Sequence, residues 1–524
     1  MIRRSRVHEI APDEIFLDSS NLPGHESSQF EGRISRPVSR RSVFGVGLVF
    51  ALIVLVFTGR AFSLQVAQGA SFAEISRDNT LQSWPVFATR GIVYDRTGEP
   101  LAWNEAQTDA TSTATTTPYA LRRYISEPGF SDLLGFVRYP QHDASGSWWR
   151  SVYTGVSGIE LQYEDMLAGQ NGSTMIETDA RNHVVQQNIT TPPQNGADLH
   201  LTIDADMQTH LYSALLAQAQ SQGFRAGAGV IMDVRTGEVL ALTTFPQYDN
   251  QAFTDGDSAA INAATQNTLK PLLDRAVGGL YAPGSIMKTI FAAGALDAGI
   301  ISPEKQIDSV GQISIPNQFD PAHPTVFHDW TVHGWIDMRT ALAVSSDEYF
   351  YTIGGGYAGQ PGLGISGLDK YAAMFGLGVK TGINLPGERA GVIPSPAWKV
   401  QAFPDDPTWR LGDTYHTAIG QYGFQITPIQ AVVYASAIAN GGKLFTPQLL
   451  ASSTPAFKTV AIPDADLEVV REGMRLAVTS TRKDATVGVL NIPGIDMAAK
   501  TGTAQIGTHN QFVNSWSIGF WPAD

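Results

Sequence analysis

A long apolar stretch without charge, SVFGVGLVFALIVLVFTG at 42–59, lies between polar flanks. Its length approaches the roughly 17–25 residues that a bilayer-spanning helix needs. Arg40 and Arg41 precede it, with Arg3, Arg4, Arg6, Arg33 and Arg36 further upstream, and only Arg60 follows closely. This asymmetry of positive charge keeps the amino terminus in the cytoplasm. A cleaved signal peptide is the rival reading. The long polar tail before the run and the lack of a close small-x-small cleavage site oppose it. The pattern predicts a cytoplasmic tail over 1–41, a transmembrane helix over 42–60 and a helical extension over 61–75.

Past Pro85 the pattern changes to strand-like alternation at 90–95, closed by a Thr97-Gly98 turn. The threonine-rich segment 109–119 reads as an edge strand or loop, and 188–196 (NITTPPQNG) as a linker. Met207, Leu211, Leu215 and Leu216 recur at helical spacing over 204–219. A hairpin follows, with strands at 229–234 and 239–244 around the turn 235–238. Apolar helices are predicted at 285–296 and 427–440, the second opened by Pro428 and closed by Gly441-Gly442. Strands are predicted at 498–504 and 513–521. Strands at both ends with helices between predict an α/β domain whose sheet closes late in the chain.

Composition narrows the choice. At 524 residues the chain is long enough for two or three domains. A net charge of -14 argues against a nucleic-acid partner. Zero cysteines exclude disulfides, thiolate metal sites and a cysteine nucleophile.

Candidate chemistry lies in three strings: Ser285-Ile286-Met287-Lys288, Ser345-Ser346-Asp347 and Lys500-Thr501-Gly502-Thr503. Pro283-Gly284 precedes Ser285, so the serine is expected at a helix start, where free N–H groups favour negative charge. Lys288 follows three positions later on the same face, within reach of the hydroxyl. To act as a base it must be neutral. A free lysine titrates near roughly 10.4, so neutrality at pH 7 costs about 4–5 kcal/mol unless burial or a second cation assists. Lys500 is the candidate second cation and the grip on a substrate carboxylate, helped by the hydroxyls of Thr501 and Thr503. The N–H groups of Ser285 and Thr503 can form an oxyanion hole, and Ser345 can relay a proton from Lys288 to a leaving amine. A second triplet, Lys380-Thr381-Gly382, lacks the following threonine and apolar strand and reads as a surface turn.

In this order the strings resemble the class B penicillin-binding proteins, membrane-anchored D,D-transpeptidases of peptidoglycan synthesis. Further matches run along the chain: Arg60 with Leu64-Gln65-Val66; Arg90-Gly91, Asp95-Arg96, Gly98, Leu101-Ala102 and Asn104; and Gly158-Ile159-Glu160 with Tyr163, Leu167 and Gly169. They continue with Leu201-Thr202-Ile203-Asp204, Gly420-Gln421-Tyr422-Gly423 and Ala439-Asn440-Gly441-Gly442. The resemblance implies a β-rich pedestal over 61–195 and a transpeptidase domain over 196–524. The latter would have the serine β-lactamase-like α/β fold, an antiparallel sheet flanked by helices. It further implies that Ser285 attacks the penultimate D-alanine carbonyl of a stem peptide, that an amine of a neighbouring stem resolves the acyl-enzyme, and that β-lactams acylate Ser285. No cofactor is implied. The implied partner is a separate SEDS-type glycosyltransferase in the cytoplasmic membrane, with the catalytic domain on the periplasmic or outer face.

Three departures qualify the resemblance. Asp347 stands where asparagine is commoner, and its carboxylate favours a charged Lys288; this variant resembles the elongation-specific branch, concerned with cell shape, more than the division branch. The stretch between Asn104 and Leu133-Leu134-Gly135 is short for the family's pedestal head. The chain also stops at Asp524, where the family continues with a strand lying between the Val230 and Trp516 strands, so a truncated domain is expected. Elongation-type relatives carry zinc near the segment holding His323, His328, Asp329 and His333. The five-residue spacings match no helical ligand pattern, and these residues read as polar loop positions at the site's mouth, with no metal assigned. Two other functions remain open: a serine β-lactamase or D,D-carboxypeptidase, in which water takes the acyl group, and a non-catalytic β-lactam-binding scaffold.

Overall fold

A computed structural model describes residues 39–70, 81–106, 117–144, 147–178, 184–317, 320 and 322–523. Most of the predicted cytoplasmic tail, the end of the helical extension and most of the threonine-rich segment lie outside these residues. The chain divides into two compact units.

The first unit comprises residues 1–82 and 176–187. Its helix Arg40–Phe62 is capped by the Ser39 hydroxyl and continues through a π-helical turn, Ser63–Ala67. All of its side chains from Val43 to Phe57 are exposed, and it is long and apolar enough to cross a membrane.

The second unit holds everything that positions the candidate site. Near its start, a four-stranded sheet orders Leu199–His200, Val93–Tyr94, Pro100–Glu105 and Leu121–Tyr124; the first pair is parallel and the others antiparallel. Beside it, Glu160 is buried between two buried guanidiniums. Its oxygens accept from Arg90 Nε at 2.6 Å and Arg122 Nε at 2.7 Å. Burial alone would raise the Glu160 carboxyl; the charges of Arg122 and Arg90 outweigh it and hold the group below the usual carboxylate range. The adjoining segment docks onto the catalytic part through Gly129, whose carbonyl accepts from Gln208 Nε2 at 2.6 Å and Thr243 Oγ1 at 2.9 Å.

The predicted elements of the catalytic part form with small boundary shifts. Helix Ala205–Gln222 starts at the Asp204 cap, and the hairpin pairs Gly227–Met232 with Val239–Phe245. Helix Pro428–Ala439 has the expected proline start and a capping box between Thr427 and Gln430. Its inward residues join Phe291, Leu342, Phe350 and Met474 in the main core. The predicted linker differs: Asn188–Thr191 belongs to the strand Val184–Thr191, which ends where Pro192-Pro193 lack backbone N–H donors.

Among the described residues the sheet consists of two separate hairpins, with the gap between the Val230 and Trp516 strands that the sequence leads one to expect. Ala498–Ile506 pairs with Phe512–Phe520, and the strand bearing Val230 is not hydrogen-bonded to the strand bearing Trp516. A groove of about 670 Å³ lies between them, lined by Leu211, Leu215, Val230, Val432, Val513 and Trp516 among others.

The buried charges near Arg90 give a stability prediction. Glu160→Gln removes the counter-charge of Arg122 and one of the two carboxylates on Arg90, which also pairs with Glu164, and should cost about 3–5 kcal/mol. Urea unfolding of the purified protein measures it.

Candidate active site

Ser285 is presented on a sharp turn. Gly284 has φ of 59°, and Gly284–Met287 is a 3-10 turn leading directly into the α-helix Lys288–Asp297. The expected single helix from 285 is therefore corrected: the serine sits on the tighter turn and Lys288 opens the α-helix. Close packing accounts for it. Gly284 N–H donates to Gly420 O at 3.0 Å, and a Cβ at Gly284 would lie 2.7 Å from Thr503 O. Only glycine tolerates both the positive φ and this approach. A Cβ at Gly502 would likewise meet Pro283 O at 2.7 Å. Trp516 Nε1 donates to Ala282 O at 2.9 Å, a tie that strand patterning alone does not reveal.

Helix Lys288–Asp297 is buried from Lys288 to Leu296, so its first side chain extends into the cleft without solvent. Lys288 Nζ donates to Asp347 Oδ1 at 2.6 Å and to Ser345 O at 2.7 Å, and lies 3.4 Å from Ser345 Oγ. Among the described residues Ser285 Oγ makes no hydrogen bond.

Ser345 ends helix Met338–Val344 in a left-handed conformation, φ 57°. A non-glycine residue held there carries backbone strain, as is common at functional sites. Ser346 then caps helix Asp347–Gly355, accepting Tyr349 N–H at 3.2 Å. The paired helix ends place Ser345 and Asp347 on either side of one tight turn.

Lys500 enters from the strand Ala498–Ile506, in register with Ile518. Its Nζ donates to Ser345 Oγ at 2.7 Å and to Thr501 O at 2.8 Å, and among the described residues it pairs with no carboxylate. Burial, and next the charge of Lys288, lower its pKa well below the ordinary lysine value. The pleat alternates, with Lys500 and Gly502 buried, Thr501 half-buried and Thr503 exposed.

Ser345 Oγ thus stands between two buried amines. The carboxylate sits on Lys288, as the Asp347 departure leads one to expect; Lys500, read from the sequence as the second cation, is instead the amine whose charge the surroundings disfavour.

The other candidates separate by position. Thr381 N–H and Oγ1 both donate to Glu388 at 2.6 Å while Lys380 is exposed, so the second triplet lies in an irregular loop, neither a turn nor a strand. His323 is exposed against Asp320, and His328 is exposed. The side chains of Asp329 and His333 are buried, Asp329 accepting from Ser346 Oγ and His333 standing behind it, an arrangement that loop composition does not disclose. Among the described residues no group of three or more potential ligands is arranged to hold a metal ion.

Comparison with known proteins agrees with this geometry. Residues 227–524 match the penicillin-binding protein transpeptidase domain, and 106–201 match the penicillin-binding protein dimerisation domain. The chain is 29% identical to the peptidoglycan D,D-transpeptidase MrdA of Acinetobacter baumannii, covering 95% of this chain and 84% of that one. Its fold is similar to that of Pseudomonas aeruginosa PBP2 in complex with WCK 5153, with TM-score 0.66, 28% identity and coverage of 84% and 89%. The Helicobacter pylori PBP2–MreC complex gives TM-score 0.68, 25% identity and coverage of 84% and 92%.

The chain belongs to the penicillin-binding protein transpeptidase family. Within it, the chain is a class B D,D-transpeptidase of the elongation-specific branch, a serine-type enzyme that cross-links peptidoglycan.

The glycine contact is testable. Gly284→Ala should lower acylation by a penicillin on the order of 100-fold, the effect of displacing reacting groups by about 1 Å. Stopped-flow labelling measures the rate, and circular dichroism should show the fold retained.

Proposed function

We propose that Ser285 is the nucleophile of this cross-linking reaction and that Lys288, Ser345, Asp347 and Lys500 manage its protons. The observation that carries the reading is Ser345 Oγ lying 2.7 Å from Lys500 Nζ and 3.4 Å from Lys288 Nζ, beside the Ser285 turn.

In the free enzyme Lys288 is paired with Asp347. A stem peptide brings its terminal carboxylate to Lys500, and the anion favours protonation of that amine. A proton passes from Lys288 to Ser345 Oγ as the Ser345 proton passes to Lys500. Neutral Lys288 then loses its attraction to Asp347 and turns to Ser285. It takes the hydroxyl proton as Ser285 Oγ bonds to the penultimate D-alanine carbonyl. The N–H groups of Ser285 and Thr503 receive the oxyanion. When the peptide bond breaks, the proton returns through Ser345 to the departing D-alanine amine. An amine of a second stem attacks the ester; its proton passes to Lys288 and on to Ser285 Oγ as the ester bond breaks, which restores Ser285 and leaves a cross-link. A β-lactam follows the first half and stops at the acyl-enzyme.

Helix Arg40–Phe62 suits a single crossing of the cytoplasmic membrane, with the catalytic unit outside. By analogy with the H. pylori relative, the pedestal is inferred to meet an MreC-like protein. A SEDS-type glycosyltransferase is the inferred polymerising partner in the membrane.

Mass spectrometry after incubation with labelled penicillin should show one adduct on Ser285, absent in Ser285→Ala. A lasting adduct supports the transpeptidase; turnover within seconds would favour a hydrolase, and no adduct would leave a scaffold. Asp347→Asn removes the carboxylate that opposes deprotonation of Lys288. It should retain labelling; loss of labelling would contradict the assigned role.

A further inference from the structure

Asp329 lies outside the reacting groups, yet its buried carboxylate organises the turn that carries two of them. Oδ2 accepts Ser346 Oγ at 2.6 Å and Glu348 N–H at 2.9 Å, and Oδ1 accepts Trp330 N–H at 2.8 Å. The Ser346 and Glu348 donors bracket Asp347, the residue between them. The Glu348 carboxylate adds a second anchor, accepting Gly311 N–H at 2.8 Å and Ser309 Oγ at 3.1 Å.

Behind Asp329 stands His333. Its buried Nε2 faces Asp329 Oδ1 at 3.6 Å, an ion-pair distance with no hydrogen bond among the described residues. Its Nδ1 lies 2.8 Å from Asp484 Oδ2. Arg482 closes the outer end, bonding to Asp484 at 2.7 Å and to His333 O at 3.1 Å.

We propose that Asp329, backed by His333 and Asp484, is a positioning residue that holds the 345–347 turn against Lys288 and Lys500. The proposal rests on the transpeptidase reading above and assigns it a support that the three strings do not contain. Free rotation of the Asp347–Gly355 helix start would carry Asp347 away from Lys288 and Ser345 Oγ out of the space between the amines. Asp329 prevents this by holding the positions on both sides of Asp347.

The electrostatics agree with the geometry. Burial raises the Asp329 carboxyl, but the His333 contact, the charge of Lys288 and the bonds from Ser346 and Glu348 bring it down to about 2. Burial lowers the His333 imidazole, but Asp329 and Asp484 outweigh it and raise its pKa above the ordinary value. The groups facing the ring are Asp329, Asp484, Arg482 and the edge-on ring of Trp330 at 5.3 Å. A charged imidazole attracts both carboxylates. A neutral one has a single N–H; with that proton on Asp484, its Nε2 lone pair opposes Asp329. The sign follows: support is full below the ordinary histidine pKa and is lost as pH rises through the raised value.

The test follows the His333 imidazole by NMR and acylation of Ser285 by a fluorescent penicillin, both across the neutral pH range. In the wild type the acylation rate should fall on the same ionisation that the imidazole reports. Asp484→Asn, at the partly exposed end of the chain of contacts, should keep the fold and lower both inflections together. Asp329→Asn should slow acylation on the order of 100-fold, as for a displacement of about 1 Å. The proposal is overturned if Asp484→Asn shifts the imidazole titration while acylation does not follow, or if Asp329→Asn acylates at the wild-type rate. Wild type that fails to label Ser285 at any pH would overturn the transpeptidase reading, and the positioning role with it.

Discussion

Lys288 and Lys500 bury two amines on either side of the Ser345 hydroxyl, and the rest of the catalytic unit is arranged around that fact. Two ammonium charges without solvent repel each other and lose hydration, so the cleft cannot hold both without compensation. Asp347 supplies a carboxylate to Lys288, and among the described residues none pairs with Lys500. The resting site is therefore asymmetric in charge. In the proposed mechanism a substrate carboxylate at Lys500 reverses the asymmetry, which would couple arrival of the correct peptide to release of the base.

Such a balance needs accurate placement from distant parts of the chain. The left-handed Gly284, the backbone of Thr503 and the Gly420 carbonyl hold the serine turn. The ends of helices Met338–Val344 and Asp347–Gly355 hold Ser345 and Asp347, and Asp329 reaches across to fix the second of these helices. The strand Ala498–Ile506 brings Lys500 from the far end of the sequence. Elsewhere in the unit, Glu160 and its arginines stiffen the part that docks through Gly129. Each interaction is modest in isolation; their value lies in the sub-ångström placement that acyl transfer requires.

Much of this was legible in the residues because the governing signals are local. The membrane-length helix, helix Pro428–Ala439 with its cap, and the hairpin around 235–238 follow from periodicity and turn chemistry. The three catalytic strings identify the chemistry because each combines residue type with spacing. What escaped depends on tertiary packing. The 3-10 turn at Ser285 arises from crowding by Thr503 and Gly420, far away in sequence. The support role of Asp329 and His333 depends on Asp484 and Glu348, and nothing in the loop's composition announces those partners. Asp347 was recognisable as a counter-charge to Lys288. The isolation of Lys500 from carboxylates required knowing what surrounds it.

The central claim is that a substrate carboxylate at Lys500 frees Lys288 to activate Ser285. It is tested most directly by comparing acylation rate constants for a penicillin and its methyl ester, with the adduct located by mass spectrometry. The account predicts that both label Ser285 and that the ester, having no anion to offer Lys500, does so far more slowly. Equal rates for the two compounds would contradict it.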